Sequence, residues 1–101
     1  MPAARPVFGE ADRAQIHALI DEALNSGSLT LGPLTSRFES AVAQTAGVDY
    51  AVAVSSGTSA LEIVLRSIGI DGAEVIVPTN TFFASAAAVV HAGGTPRLAD
   101  I

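Results

Sequence analysis

The sequence predicts an α/β fold built on a mostly parallel sheet. Tyr50-Ala51-Val52-Ala53-Val54 is apolar without alternation, which fits a strand covered on both faces. Glu74-Val75-Ile76-Val77 reads as a second strand, and helical spacing fills the stretch between them. Strands that alternate with helices of this length imply a shared parallel sheet.

Each element follows from local chemistry. Residues 1–8 form an extended lead-in, because Pro2 and Pro6 disfavour helix. A helix spans 10–26, where Ile16, Leu19, Ile20, Ala23 and Leu24 make one apolar stripe. Glu10 and Asp12 suit its positive end and Gly27 its stop. Residues 28–33 are a loop. A second helix covers about 34–46, with Leu34, Phe38, Ala41 and Val42 on one face and Ser36-x-x-Glu39 resembling a capping box. After the strand at 50–54, a helix over 58–68 buries Ala60, Leu61, Val64, Leu65 and Ile68. The strand at 74–77 stops at Pro78. A helix over 82–92 ends at Gly93-Gly94, and a third strand begins in 97–101.

Composition narrows the function. The chain has 101 residues, the size of one small domain. Half of it is hydrophobic and its mean hydropathy is +0.48, which is rich for so small an interior. The surplus points to apolar faces meant for more polypeptide or for a partner subunit, or to alanine raising the scale. Net charge is -5 and the five basic residues are scattered arginines, so no basic stripe for nucleic acid exists. Cysteine is absent, which removes disulfides and thiolate metal sites. His17 and His91 lie far apart in sequence, and no metal site is expected. The N-terminus lacks an apolar signal core, and the run 82–90 is too short to cross a bilayer. The expectation is a cytoplasmic protein without membrane contact.

Val54-Ser55-Ser56-Gly57-Thr58-Ser59-Ala60-Leu61 carries the chemistry. A strand end, a small-residue turn and a helix start together form an anion cradle. A helix start leaves backbone N–H groups unpaired and adds partial positive charge. Gly57 lets a phosphate approach the backbone, and Ser56, Thr58 and Ser59 add hydroxyl donors. An ordinary capped helix would also place Ser and Thr here. The stretch is neither a Walker loop nor a dinucleotide fingerprint. Pro78-Thr79-Asn80-Thr81-Phe82-Phe83 follows the next strand. An aromatic there can stack on a flat heterocycle, or both rings can be core.

Taken together, these segments resemble a known family. Leu31-Gly32-Pro33 with Phe38-Glu39, then 53–61, then Glu74-Val75-Ile76-Val77-Pro78 with Thr81-Phe82, then Gly93-Gly94-Thr95-Pro96 and Asp100 occur in its order and spacing. The chain is identified as similar to the N-terminal part of the DegT/DnrJ/EryC1/StrS family, sugar aminotransferases that use pyridoxal 5′-phosphate. The resemblance covers nearly all of this chain but a minor part of a family member. It implies a partial large domain of a fold type I (aspartate aminotransferase-like) enzyme. Residues 1–101 would comprise N-terminal helices and the start of the cofactor-binding domain, with the first three strands of the sheet.

The resemblance also assigns roles. Gly57 and Thr58, helped by Ser56, would bind the cofactor phosphate, and Phe82 would stack on the pyridine ring. The Gly32 loop would lie near the active site at a homodimer interface. Phe83 is expected in the core, and His91 on a helix without catalytic duty. The family moves an amino group, typically from glutamate, to a nucleotide-linked keto-sugar. Its Schiff-base lysine and the aspartate that holds the pyridine nitrogen lie in later sequence. Asp100 does not match that aspartate. No residue of this chain is expected to be catalytic, and there is no lysine in it.

Three readings remain open at this level. One is a sugar aminotransferase, inactive in these 101 residues alone. Another is a related dehydratase with histidine in place of the lysine. The third is a non-catalytic interaction or regulatory module. In the family the strand at 50–54 lies away from 74–77, with strands from later sequence between them. The isolated 101-residue chain is therefore expected to fold poorly, since every unmade ladder bond in an apolar setting is costly. Chemical denaturation followed by circular dichroism should show no cooperative monomer transition.

Overall fold

A computed structural model describes residues 5–101; residues 1–4, including Pro2 of the lead-in, lie outside the description. The chain divides into two compact units, Met1–Ala53 and Val54–Ile101.

The first unit holds two helices. Helix α1 spans Glu10–Ser26, as its apolar spacing predicts. The Gly9 N–H donates to Asp12 Oδ2 at 3.0 Å, so an acidic side chain occupies the positive end of the helix. Helix α2 spans Pro33–Ala46, with Pro33 in the first turn and Gly32 as the N-cap. Proline suits that position because its missing N–H would be unpaired there anyway. This early start corrects the capping box expected at Ser36 and Glu39. Ser36 is already inside the helix, and its N–H donates to the Gly32 carbonyl at 3.3 Å. The Glu39 carboxylate instead accepts the Ala53 N–H at 2.8 Å, pinning the 50–53 run against α2. Arg37 Nη1 spans both Glu22 oxygens at 2.9 and 3.1 Å, which ties α2 to α1. Both side chains are exposed, so this pair contributes at most about 1 kcal/mol.

The expected apolar faces of these helices are largely uncovered. No residue of α1 is buried, and Ala43 is the one buried residue of α2. Ile20, Leu24 and Phe38 are exposed. The periodicity was a correct guide to helix, but burial needs an opposing surface that the unit does not supply.

The second unit contains a β-α-β crossover preceded by a helix. Helix α3 spans Gly57–Ser67, strand β1 Glu74–Pro78, helix α4 Ala84–His91 and strand β2 Thr95–Ala99. β1 and β2 pair in parallel, with Glu74 opposite Thr95 and Val77 opposite Leu98. The α/β class and the parallel pairing are as expected. Two strands pair rather than three, because the run at 50–54 joins no ladder. β2 begins two residues before the expected 97. Pro96 is accommodated in it because a two-stranded sheet consists only of edges.

The core of this unit is Ile70, Val77, Val89 and Ala92, with Leu65, Val75 and Ala86 packed against it. On α4, Ala84, Ala88, Val89 and Ala92 are buried, spaced as one inward face. On β1, Val77 is buried and Ile76 exposed, the alternation of a strand covered on one side. α3 packs on α4 but has no buried residue. Leu61, Val64 and Ile68 are exposed, contrary to the stripe expected to be interior. α4 meets only one side of α3, and Leu65 alone of that stripe reaches the core.

Gly94 closes the crossover. Its N–H donates to the Val89 carbonyl at 2.9 Å, and the next N–H, of Thr95, donates to Ala73 at 2.8 Å. A Cβ at Gly94 would sit 2.8 Å from Ile70 Cδ1 and 3.1 Å from both Ala73 O and Val89 Cγ1. Backbone and core approach here more closely than a side chain permits. Gly94→Ala should therefore cost about 1–3 kcal/mol, read as a lowered thermal midpoint of the intact protein rather than of these residues alone, whereas an alanine at exposed Ser67 should leave that midpoint within about 0.5 kcal/mol.

Candidate functional site

The start of α3 is built by Ser56. Its backbone is extended at φ -163° and ψ 161°, and its hydroxyl accepts the Ser59 N–H at 3.1 Å. Its carbonyl accepts the Ala60 N–H at 3.0 Å. The Ser59 and Ala60 donors are thus satisfied within the turn. The N–H groups of Gly57 and Thr58 make no hydrogen bond among the described residues. These are the first two donors of the helix, where the partial positive charge of the backbone is concentrated.

Hydroxyls surround that end. Ser59 Oγ lies 3.0 Å from Ser56 Oγ and 3.2 Å from Ser55 Oγ, a chain of three hydroxyls. A Cβ built on Gly57 meets nothing within 4 Å. No neighbouring atom therefore crowds the Cα of Gly57. Two unpaired N–H groups, a serine chain and free space fit a small oxyanion such as a phosphate monoester. The sequence reading found Ser56, Gly57 and Thr58, and it included Ser59 as a donor. It missed Ser55 as a partner of Ser59, although the i, i+4 spacing was visible.

Phe82 lies between β1 and α4, in the same unit, and is 71% exposed. Its ring meets that of Phe83 at a centroid distance of 4.7 Å, tilted by 56°. Phe83 was expected in the core but is 73% exposed. It is the N-cap of α4, and the inward face of that helix begins at Ala84. Thr81 and Ser85 hydroxyls sit 3.1 Å apart beside these rings in sequence. Gly32 belongs to the first unit. A Cβ there would lie 2.6 Å from the Ser28 carbonyl oxygen, so the loop before α2 folds too tightly for a side chain.

A charged cluster that the sequence did not reveal joins α3 to α4. Arg66 Nε donates to Glu62 Oε1 at 2.9 Å, and the Arg66 guanidinium also donates to the His91 carbonyl. His91 Nδ1 lies 3.5 Å from Glu62 Oε2. His91 thus has a structural contact in addition to its helical place. The Arg66 hydrogen bond, assisted by the charges of Arg66 and His91, outweighs desolvation and holds the Glu62 carboxyl below the ordinary glutamate range.

The model of the DegT/DnrJ/EryC1/StrS aminotransferase family matches residues 10–101. The chain belongs to this family. A dTDP-3-amino-3,4,6-trideoxy-alpha-D-glucose transaminase of Streptomyces venezuelae is 46% identical over 85 residues, covering 83% of this chain and 22% of that relative. Among solved structures, S. venezuelae DesV, crystallised with a ketimine intermediate, superposes with a TM-score of 0.81 at 42% identity. That match covers 87% of this chain and 24% of DesV. Spr1654 of Streptococcus pneumoniae, assigned as a sugar aminotransferase and solved in its PMP form, gives 0.84 at 36% identity. It covers 100% of this chain and 25% of that one. The chain therefore spans about a quarter of the length of these relatives. Among its described residues no helix is long and apolar enough to cross a membrane.

The Glu62 cluster gives a pH prediction. A carboxyl whose folded pKa is lowered contributes fully above the ordinary glutamate range, and the contribution is lost as pH falls through the lowered value. A carbon-detected NMR titration should place the Glu62 midpoint below the ordinary glutamate range. Arg66→Ala should return Glu62 upward, and an unchanged midpoint in that variant would contradict the assigned cause.

Proposed function

We propose that the protein is a pyridoxal 5′-phosphate-dependent aminotransferase that moves an amino group, with glutamate as donor, onto a nucleotide-linked keto-sugar. The observation that carries this reading is the pair of unpartnered N–H groups at Gly57 and Thr58, at the head of α3 where Gly57 itself is uncrowded. The transaminase and aminotransferase names of the relatives support the aminotransferase over the dehydratase and over a non-catalytic module.

In this reading residues 1–101 supply the N-terminal helices and the start of the cofactor-binding domain of a cytoplasmic homodimer. The backbone of Gly57 and Thr58, with the hydroxyls of Ser56 and Thr58, holds the phosphate. Charge-assisted hydrogen bonds from fixed backbone donors anchor one end of the cofactor and set its direction. Phe82, already exposed, offers a ring face for the pyridine and excludes water from that side. The Gly32 loop contributes to the substrate side of the site at the subunit interface. When bound, the cofactor supplies an electron sink for the carbon that exchanges the amino group. No side chain of this chain carries the amine that family members use to hold the cofactor covalently, because lysine is absent. These 101 residues by themselves are accordingly inactive, and their part is to bind and orient.

The test compares pyridoxal 5′-phosphate with pyridoxal in the intact protein by absorbance titration. The phosphate should raise affinity by roughly 10–100-fold, the value of one or two charge-assisted hydrogen bonds. Gly57→Asp, which sets a carboxylate in the cradle, should erase that difference while leaving the circular dichroism unchanged. Equal affinity for the two compounds in the unaltered protein would refute the cradle.

A further inference from the structure

Helix α3 is held to its unit by little apolar contact. It has no buried residue, and of its apolar stripe only Leu65 packs on the core. Its tie to α4 is polar. Arg66 Nε donates to Glu62 Oε1 at 2.9 Å, and the same guanidinium donates to the His91 carbonyl. That carbonyl is in the last turn of α4, where a helix supplies no partner of its own. Glu62 Oε2 faces His91 Nδ1 at 3.5 Å. His91 is thus gripped at its carbonyl and at its ring, by two side chains that also hold each other. A closed set of contacts fixes orientation better than an isolated exposed pair. Asp71 lines the depression beside Arg66 and His91 but makes no ion pair among the described residues. Glu62 is therefore the carboxylate on which the tie depends.

Each of the tied helices carries one half of the cofactor grip. The unpaired N–H groups of Gly57 and Thr58 belong to the first turn of α3. Phe82 is fixed to the first turn of α4: its carbonyl accepts the Ser85 N–H at 3.0 Å, and the neighbouring Thr81 hydroxyl lies 3.1 Å from that of Ser85. The two helices pack on one another and their last turns meet in the cluster, so both heads lie beyond the tie. Arg66 follows Gly57 by nine residues. At about 1.5 Å per residue, a tilt of about 10° at the cluster would move the free donors by about 2 Å. A ligand with a phosphate at one end and a flat ring at the other cannot follow such a shift.

We propose that Glu62, Arg66 and His91 are positioning residues for the cofactor, which set the distance between the phosphate donors at the head of α3 and the ring face of Phe82 before α4. None of the three touches the cofactor; they act through the two helices. The assignment rests on the pyridoxal 5′-phosphate reading above and deepens it, by naming what keeps the two contact points in register.

The test is titration of the intact protein, freed of cofactor, with pyridoxamine 5′-phosphate and with inorganic phosphate. The first spans both contact points and has no carbonyl to react with an amine; the second reads the cradle alone. Arg66→Ala should weaken pyridoxamine 5′-phosphate by about tenfold, as misplacing a remote support does. It should leave inorganic phosphate within about twofold, because the helix start sets its own donors. Glu62→Gln keeps the side chain's size and should act in the same direction. Adding it to Arg66→Ala should cost nothing further, since both break one tie. A cluster that only stabilised the fold would lower the thermal midpoint and leave the ratio of the two affinities unaltered. That result in either variant overturns the proposal. If neither variant folds, NMR of the unaltered protein decides. Coupling is reciprocal, so pyridoxamine 5′-phosphate must shift the Arg66 Nε–H and Glu62 carboxyl signals, and inorganic phosphate must not; unmoved signals with the former overturn it as well. Pyridoxal 5′-phosphate and pyridoxal titrated in parallel separate the two levels. Equal affinity of these in the unaltered protein removes the cofactor reading and this proposal with it. A normal phosphate advantage together with an unchanged Arg66→Ala variant removes this proposal alone.

Discussion

The second unit hangs on the close packing of α4 against the β1 edge at Val89. That side chain is 1% exposed, between Ile70, Val77 and Ala92. Fully burying one such side chain is worth about 1.5–3 kcal/mol, and few others in this unit come close to it. The packing works only because the chain turns at Gly94 without a side chain in the way. From that turn β2 enters in parallel register with β1. The Arg66 and Glu62 contacts then fasten α3 to the far end of α4. The head of α3, where the free donors lie, is thereby held at the end opposite to the ion cluster.

That arrangement explains why a sparse core can still present ordered backbone donors. The donors at Gly57 and Thr58 are fixed by helix geometry and by the Ser56 cap, not by buried side chains. A helix start is set by backbone dihedrals over a single turn, so it requires little tertiary support. The same unit leaves Leu61, Val64, Ile68 and Ile76 exposed. Large apolar side chains left open in this way are ones that another surface would cover. The site is thus local, whereas the surroundings that would enclose a ligand are not.

What the sequence made legible follows the same division. Helix α1 was read to its last residue, because amphipathic spacing, acidic first turn and a terminal glycine all agreed. The helix start after Ser56 was legible too, since small residues separate an apolar run from a helical stripe. Burial was read less well. The α3 stripe and Phe83 are outside, because apolar periodicity reports which face seeks cover and not whether cover is present. The capping box at Ser36 and Glu39 failed through competition. Pro33 starts the helix earlier, and Glu39 is drawn to the Ala53 N–H. The tie between Glu62, Arg66 and His91 was invisible because it joins residues 25 apart, Arg66 and His91, through a fold-dependent approach.

The distribution of nitrogen chemistry sets what this polypeptide contributes to a reaction. An ammonium that loses its proton near neutral pH is the usual covalent partner of a carbonyl cofactor, and no side chain here can act so. Arginine cannot substitute, because its guanidinium stays protonated throughout the physiological range. The five arginines are therefore confined to pairing with carboxylates or holding anions. Three of them do the first, in fixed contacts to Glu22, Glu62 and Glu74. The remaining two border the depression before α1. Beside these guanidinium groups, the chain offers unpaired backbone donors at the head of α3. Neither kind of group is suited to carrying a proton between carbon and nitrogen, because both keep their hydrogens throughout the physiological range.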